Sequence, residues 1–432
     1  MLEGAALKTK TRVVQLITKP SIQEVKTEIC VVGAGIAGVS AAIEAARLGR
    51  QVTLVDGLPS LGGQAVHSII GTFCGLFTKG KKRKQLTHGI ADDILLDLGK
   101  IGAVHFMEES ELNTVLYDEV ALSRWIEKTV QEAGIQVITG SILRKVNKDE
   151  RRITSIELAS KYGDIRIFAQ GFVDATGDAA LTWLSGLKCR VPENGPVYGS
   201  LMTVLEGIHE TYYPSRKEIS DRLKEKAGEY GLQRKDGFAF LFPKKGTALV
   251  NMNHIETPLD PFLLVKEEIS GKKEAEKTLE FLKTEFPLAF GDARIRSYGF
   301  AGIRQTRWIV GKKQLTVEEV RAGVRFPDAI ARTIWPIELH SHKEGYIWEE
   351  FPEDHIHYVP FGSLVPPDAD NLVAAGRCID GDVAALSSVR VMGPCIAMGA
   401  AAAHALDLSM GQSVHEIDIN ILQERLSDNI WK

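Results

Sequence analysis

The chain has 432 residues, of which 44% are hydrophobic and 25% are charged, so it is long enough for two hydrophobic cores or for one large core with an insertion. Its formal net charge is −4, and without a basic stripe there is no reason to expect a nucleic-acid partner. No apolar run has the length of a membrane span, and the N-terminal segment lacks the apolar core of a signal peptide. We therefore expect a soluble, cytoplasmic protein with no membrane partner.

The cysteines, the densest basic run and the paired histidines predict no site on their own. Five cysteines without a CxxC pair are typical of reduced thiols rather than of a disulfide framework or a zinc site. The run KGKKRK at 79–84 is interpreted as a solvated loop. The pairs His340/His342 and His355/His357 lack a nearby acidic or thiol ligand set, so no metal is predicted.

The first predicted element is a continuous apolar run, Ile29–Val32, which suits a parallel sheet with both faces buried. Gly33, Gly35 and Gly38 follow in GxGxxG spacing. In this motif the first glycine permits a tight turn, the second lets a pyrophosphate approach the backbone, and the third lets helix and strand pack closely. A helix is predicted next, over 36–48.

A second strand is predicted over 51–55, and it ends on Asp56. A carboxylate there can accept hydrogen bonds from both ribose hydroxyls of an adenosine, while phosphates sit at the helix N-terminus, at Ile36 and Ala37. The order strand, glycine turn, helix, strand and acid predicts a dinucleotide-binding site. This fingerprint alone does not distinguish NAD from FAD.

A glycine pair follows the second strand, in the sequence Leu61-Gly62-Gly63-Gln64. It leaves bare backbone where a longer cofactor can run past the pyrophosphate. With this feature the stretch 27–64 resembles the FAD-binding start of the glutathione reductase-like flavoprotein superfamily. The resemblance implies that FAD is the cofactor and that Gly62, Gly63 and Gln64 adjoin it.

The middle of the chain continues the same pattern. A helix is predicted over 118–133, a strand over 135–139 and an antiparallel meander over 142–168, before the stretch GFVDATGDAAL at 171–181. In the superfamily this last strand returns to the parallel sheet beside the glycine-rich loop. The resemblance implies that its small residues leave room for the dinucleotide, with cofactor contacts at Ala175, Thr176, Gly177 and Asp178.

The C-terminal stretch 358–406 predicts a short strand, Leu372–Ala375, and then a small-residue helix over 391–408. Such a helix packs closely and directs N–H donors at whatever lies before its N-terminus. In flavoproteins that target is the N1–C2=O edge of the isoalloxazine, where negative charge collects on reduction. The resemblance therefore implies cofactor contacts from Gly376, Arg377, Arg390, Val391 and Met392.

Four stretches resemble the FAD-dependent oxidoreductases, relatives of the fumarate reductase flavoproteins: GGQAVHSIIGTFCGLF at 62–77, GIRQTRWIVG at 302–311, PIELH at 336–340, and GRCI…SSVRVMGPCIAMGAAA at 376–402. The implied fold class is α/β, a Rossmann-like FAD-binding domain of a parallel sheet plus an antiparallel meander, with an inserted α+β substrate domain. The expected bounds are an N-terminal extension at 1–26, the FAD-binding domain at 27–189 and 358–432, and the substrate domain at 190–357.

Hydride transfer needs a base for an O–H or N–H proton and a group that orients the substrate. His340 is the first acid–base candidate because imidazole titrates near working pH, although Glu338 stands where the family pattern implies Asp. Arg304 is the candidate for holding a substrate carboxylate on its bidentate fork. Arg307 is interpreted as a structural residue, and Cys74 has no nearby cysteine for a dithiol mechanism.

These features predict an FAD-dependent dehydrogenase or oxidase that transfers a hydride from a small polar organic substrate to flavin N5. Two alternatives stay open at this point, a flavin-carrying electron-transfer subunit of a multi-subunit dehydrogenase and a flavin monooxygenase. A homo-oligomer or an electron-accepting protein partner is compatible with either reading.

Overall fold

The computed structural model describes residues 11–13, 22–107, 111–193, 195, 197–343 and 345–431. Its strands, in chain order, are β1 (Gln23–Lys26), β2 (Ile29–Val32), β3 (Val52–Val55), β4 (Thr72–Phe73), β5 (Val104–Phe106), β6 (Val115–Tyr117), β7 (Gln136–Ile138), β8 (Ser141–Asp149), β9 (Arg152–Ser160), β10 (Gly163–Phe168), β11 (Gly171–Asp174), β12 (Cys189–Arg190), β13 (Ser200–Glu206), β14 (Phe238–Phe242), β15 (Thr247–Asn251), β16 (Arg294–Gly302), β17 (Trp308–Ile309), β18 (Ala329–Thr333), β19 (Ile337–Ser341), β20 (Gly345–Glu349), β21 (His357–Pro360) and β22 (Leu372–Ala374).

The helices are α1 (Ile36–Arg47), α2 (Gly63–His67), α3 (Ile90–Lys100), α4 (Glu119–Glu132), α5 (Ala180–Leu184), α6 (Arg216–Lys226), α7 (Pro261–Glu285), α8 (Pro287–Phe290), α9 (Val317–Arg321), α10 (Val383–Val389), α11 (Met392–Leu408), α12 (Ile419–Arg425) and α13 (Ser427–Ile430). The small-residue helix predicted over 391–408 is α11, and the shorter α10 precedes it.

A five-stranded parallel sheet lies at the centre of the fold. Its order is β22-β11-β2-β3-β7, and every neighbouring pair runs parallel. Strands β2, β3, β11 and β22 are buried along their whole length, as expected of continuous apolar runs covered on both faces. The prediction of a parallel sheet in an α/β fold is confirmed. Strand β11 lies between β2 and β22, so three parts of the chain that are distant in sequence are neighbours in this sheet.

The predicted meander is a second sheet, with the order β1-β10-β9-β8. Strands β8, β9 and β10 pair antiparallel, and β1 adds to the edge in parallel with β10. Most of the predicted N-terminal extension lies outside the described residues, but its last four residues form β1 and so belong to this sheet. An apolar layer between the two sheets joins them into one body, with Cys30, Ile156 and Phe172 among its buried members.

The substrate part of the chain leaves and returns at one place, where β12 pairs with β17. Between them lies an antiparallel sheet of order β14-β15-β13-β16, with its own core against α6, α7 and α8. Strand β18 pairs with β21, and β21 crosses the expected domain boundary at 357/358. Residues of both strands pack in the same hydrophobic core as the parallel sheet. The expected domain bounds therefore stay predictions.

Helices α1 and α11 pack in close contact across the central core. A Cβ at Gly399 would lie 2.2 Å from the Ala37 carbonyl oxygen, and Ser40 Oγ donates to the Ile396 carbonyl at 2.8 Å. This contact fixes both helix N-termini on the same side of the sheet. Among the described residues no single helix is long and apolar enough to cross a membrane, and α10 and α11 meet that test only as a pair bent by 90°.

Candidate active site

The turn between β2 and α1 is built by backbone contacts that only glycine allows. Gly33 has φ +103°, and a Cβ there would lie 2.2 Å from the Ala175 carbonyl oxygen. A Cβ at Gly38 would lie 1.8 Å from the Gly33 carbonyl oxygen. Gly35 differs, because the space beside its Cα is open and the residue lines a cavity. Gly33 and Gly38 therefore serve the packing of the turn, and Gly35 leaves room for a ligand.

Asp56 is held at the end of β3 by two backbone donors. Its Oδ2 accepts from the Ala34 N–H at 2.6 Å and its Oδ1 from the Leu58 N–H at 2.7 Å. Both bonds fix the carboxylate at the cavity wall, where each oxygen keeps a further lone pair for a ligand hydroxyl. Gly63 adjoins the same wall, since a Cβ there would lie 2.7 Å from the Gly35 Cα.

The small residues after β11 serve two neighbours at once. The Ala175 carbonyl contacts Gly33, and a Cβ at Gly177 would lie 2.4 Å from the Arg377 Nε. Asp178 forms an ion pair with Arg377 at 3.1 Å. The segment ends small because the glycine turn and an arginine both approach it closely, and it forms part of the cavity wall.

The N-terminus of α11 faces the same cavity together with two half-buried arginines. Arg377 and Arg390 line the cavity, and Arg377 Nη1 and Arg390 Nε are buried without a hydrogen-bond partner among the described residues. Burial lowers the pKa of Arg390. Buried cationic donors without acceptors are costly, so their presence indicates a ligand that supplies acceptors.

The cavity has a volume of about 540 Å³ and extends between the parallel sheet and the sheet of order β14-β15-β13-β16, which we call the substrate sheet. Its size falls within the range of small-molecule and cofactor sites. Of the residues predicted to contact the cofactor, Gly38 and Gly62 lie behind the wall, where they pack against Gly33 and Val66. The predicted cofactor residues that line the cavity are Gly33, Gly35, Ile36, Ala37, Asp56, Gly63, Gln64, Ala175, Thr176, Gly177, Asp178, Gly376, Arg377, Arg390, Val391 and Met392.

These residues fit FAD along its length. The Asp56 carboxylate suits the adenosine ribose, and the turn at Gly35 with the α1 N-terminus suits the pyrophosphate. The orphaned donors of Arg377 and Arg390 and the α11 N-terminus suit the electron-rich edge of the flavin ring.

Arg304 reaches the cavity from the substrate side. Its Nη1 donates to the Tyr198 carbonyl at 2.8 Å, which leaves other donors of the fork for a ligand. Burial, followed by the positive charges of Arg234 and Arg390, lowers the pKa of Arg304 to about 9. An anion in the cavity would relieve this repulsion.

His340 lies one side chain behind the cavity wall. It is fully buried, and its Nε2 is 3.2 Å from Glu338 Oε1. Burial, then the charges of Arg304, Arg234 and Arg390, holds the pKa of His340 well below its usual value, so the ring is neutral. The group that faces the cavity is Glu338, whose Oε2 accepts from Trp335 Nε1 at 3.0 Å.

Glu338 is not among the site residues predicted from the sequence, where it stands out only as a departure from the family pattern. The period of two in a β-strand places residues 338 and 340 on one face, which was the available signal. The aromatic residues that line the cavity were also not predicted. Phe238 and Phe240 are on β14, Trp335 precedes β19, and Trp348 is on β20.

The remaining candidates have structural surroundings. Arg307 lies over the Trp183 ring and donates from Nε to the Asp178 carbonyl at 3.0 Å. Cys74 lines the cavity, and burial raises the pKa of its thiol to about 12, so it is not a thiolate nucleophile. Within the described part of the chain, no group of three His, Cys, Asp or Glu side chains could hold a metal ion.

Three solved structures resemble the chain over most of its length. A geranylgeranyl bacteriochlorophyll reductase-like protein from Thermoplasma acidophilum has 13% identity, with 93% of this chain and 84% of that chain covered and a TM-score of 0.48. The p-nitrophenol 4-monooxygenase from Pseudomonas putida DLL-E4 has 12% identity, 95% and 85% coverage and a TM-score of 0.47. The L-proline dehydrogenase from P. horikoshii has 13% identity, 92% and 96% coverage and a TM-score of 0.46.

No curated protein matches the chain significantly in sequence. The sequence model of the family described as FAD dependent oxidoreductase, however, matches residues 28–426, nearly the whole chain. The chain therefore belongs to the FAD dependent oxidoreductase family and is an enzyme whose cofactor is FAD.

Proposed function

We propose that the protein is a dehydrogenase or oxidase that removes a hydride from a small organic acid. The observation that carries this proposal is the pairing of opposite charges at the end of the cavity lined by Arg304, Glu338 and Arg390, which we call the substrate chamber. Arg304 and Arg390 lie on its wall together with the carboxylate of Glu338. Such a site can bind an anionic group and also accept a proton close to it.

The anionic group of the substrate is assigned to Arg304. The depressed pKa of this guanidinium reflects burial and two neighbouring cations, which an incoming carboxylate would offset. The aromatic side chains of Trp335 and Trp348 line the same chamber and would exclude water from the bound substrate. A substrate with one carboxylate and a short apolar part suits these walls.

The proton of the substrate is assigned to Glu338. FAD, when bound, supplies the acceptor for a hydride and its two electrons. The chain itself must take the proton from the O–H or N–H on the same carbon, and a carboxylate held by Trp335 Nε1 at 3.0 Å is placed to do so. The proposed substrates are therefore 2-hydroxy acids and 2-amino acids.

The test is anaerobic mixing of the FAD-loaded protein with a panel of 2-hydroxy acids and 2-amino acids, followed by flavin absorbance. We expect bleaching by at least one of these acids and none by the alcohols and amines of matching carbon skeleton that lack the carboxylate. Bleaching by NADPH alone would favour a monooxygenase, and bleaching only by a reduced protein partner would favour an electron-transfer subunit. Either result contradicts the proposal.

A further inference from the structure

Three side chains form a continuous hydrogen-bonded chain that starts at the cavity wall. Glu338 Oε1 is 3.2 Å from His340 Nε2, and His340 Nδ1 is 2.8 Å from His254 Nε2. Glu338 and His340 are on β19, and His254 follows β15 in the substrate sheet. The contact therefore joins two parts of the structure 86 residues apart in sequence.

The outer end of this chain reaches the surface. His254 is partly exposed and stacks on the ring of Tyr198, with the ring centroids 5.0 Å apart. The Tyr198 ring also contacts His342, which lies 3.4 Å from Glu256. The side chains of His342 and Glu256 are 49% and 43% exposed, so titratable groups in contact with water surround the outer end.

The hydrogen bonds fix a consistent set of tautomers. When a Glu338 oxygen accepts the Nε2–H of His340, His340 Nδ1 is an acceptor and His254 must donate from Nε2. The charged groups that face His340 are Arg234, Arg304, Arg390 and Glu338, and the Tyr346 ring on β20 lies 4.8 Å away. Burial and the three cations keep the His340 ring neutral. The neutral ring uses both nitrogens, one as a donor to Glu338 and the other as an acceptor from His254.

We propose that Glu338, His340 and His254 form a proton relay that connects the substrate chamber with solvent. The inference rests on the proposed function, because it assigns the route of the proton that substrate oxidation releases. Glu338 is the catalytic residue of this set, and His340 and His254 act through it.

The relay moves one proton and leaves both rings neutral. The substrate C–H bond breaks, and the hydride passes to the flavin with the electron pair of that bond. The O–H or N–H proton of the substrate goes to Glu338. The resting tautomers carry no proton on Nδ1, so each outward transfer first requires both rings to reorient within the site and present the alternative tautomers. Protonated Glu338 then gives its proton to His340 Nε2, His340 gives the Nδ1 proton to His254 Nε2, and His254 releases its Nδ1 proton, which returns both rings to the resting tautomers. Each ring gains and loses one proton, so no buried imidazolium forms.

A second histidine pair supplies the matched control. His355 Nε2 is 3.2 Å from His357 Nδ1, and the buried His357 contacts Ser388 Oγ at 2.8 Å. Ser388 Oγ in turn donates to the Trp335 carbonyl at 2.5 Å, so this pair ends on a backbone carbonyl, which has no proton to pass on. Both pairs join two ring nitrogens at hydrogen-bonding distance, and His340 alone of the two buried rings contacts a cavity carboxylate.

The first experiment needs no substrate. We would measure the exchange of the His340 Nε2 proton with water by NMR on the FAD-loaded protein labelled with ¹⁵N-histidine. His254→Gln keeps an N–H donor to His340 but cannot pass a proton on. We expect exchange at least roughly tenfold slower in this variant and unchanged in His355→Gln. Equal exchange in the wild type and His254→Gln would overturn the relay, whatever the substrate.

The second experiment uses the acid that bleaches the flavin in the test of the proposed function. We expect His254→Gln to slow flavin reduction by roughly tenfold or more, with added imidazole restoring the rate and with His355→Gln unchanged. Slowing without rescue by imidazole would indicate a structural role and overturn the relay. If no acid bleaches the flavin, the proposed function fails, and the proton-exchange result alone decides whether the hydrogen-bonded path conducts protons.

Discussion

The proposed proton acceptor and the histidine predicted for that role lie two positions apart on the same strand. Glu338 faces the cavity, and His340, two residues on, is buried behind it with its pKa held far down by burial. An imidazole in that position cannot act as a base that ionises near neutral pH, although it can pass a proton on. The sequence indicates the shared face of residues 338 and 340, but the depth of each depends on the strands and arginines around them.

The glycine turn gives a test at the same scale. Gly35→Val should fold, because the backbone there is extended and the space beside Gly35 is open. We expect the purified variant to be colourless, since the added side chain would fill the position of the pyrophosphate. Flavin absorbance per protein and a thermal unfolding curve check this. The matched control is Gly228→Val, which also projects into open space but away from the cavity, and a yellow Gly35→Val would contradict the site.

At the scale of elements, the pieces built from local signals were predictable. Strand β2, the turn, α1 and β3 are set by consecutive residues, and their observed bounds differ from the predicted ones by about one residue. The contact of His254 with His340 was not predictable, because it depends on how the substrate sheet docks on β19. The contact of His357 on β21 with Ser388 on α10 is of the same kind.

The burial of His357 predicts how stability depends on pH. Burial, and then His355, lowers the pKa of His357 from 6.5 to about 3. Between these values the unfolded chain binds a proton that the folded protein does not, so stability falls as the pH drops below about 6.5. At pH 5 this single group would cost about 2 kcal/mol.

Urea unfolding of the wild type and His357→Gln at pH 7 and pH 5 measures this effect. Glutamine does not titrate, so the variant should lose less stability between the two pH values, by about 2 kcal/mol. Equal losses in both proteins would mean that the proton is bound in the folded state as well.

At the scale of the whole molecule, the cavity is assembled from parts of the chain that are far apart in sequence. The turn at Gly35, the segment after β11, the α11 N-terminus and the substrate sheet all line one cavity. The order of the parallel sheet, which the resemblance implied, brings the first three parts together. The excursion of the chain between β12 and β17 adds the substrate sheet, and the resemblance left the structure of this excursion undefined. Phe238 and Phe240 belong to that undefined part, whereas Trp335, Glu338 and Trp348 follow β17. The motifs do not show that these two segments meet, so the substrate chamber could not be predicted from them.

The most direct test of the account is a crystal structure of the FAD-loaded protein with a bound organic acid. We predict the adenosine ribose beside Asp56, the flavin ring beside Arg390 and the α11 N-terminus, and the acid between Arg304 and Glu338. An FAD bound elsewhere, or side chains filling the space between Gly35 and Arg390, would contradict it.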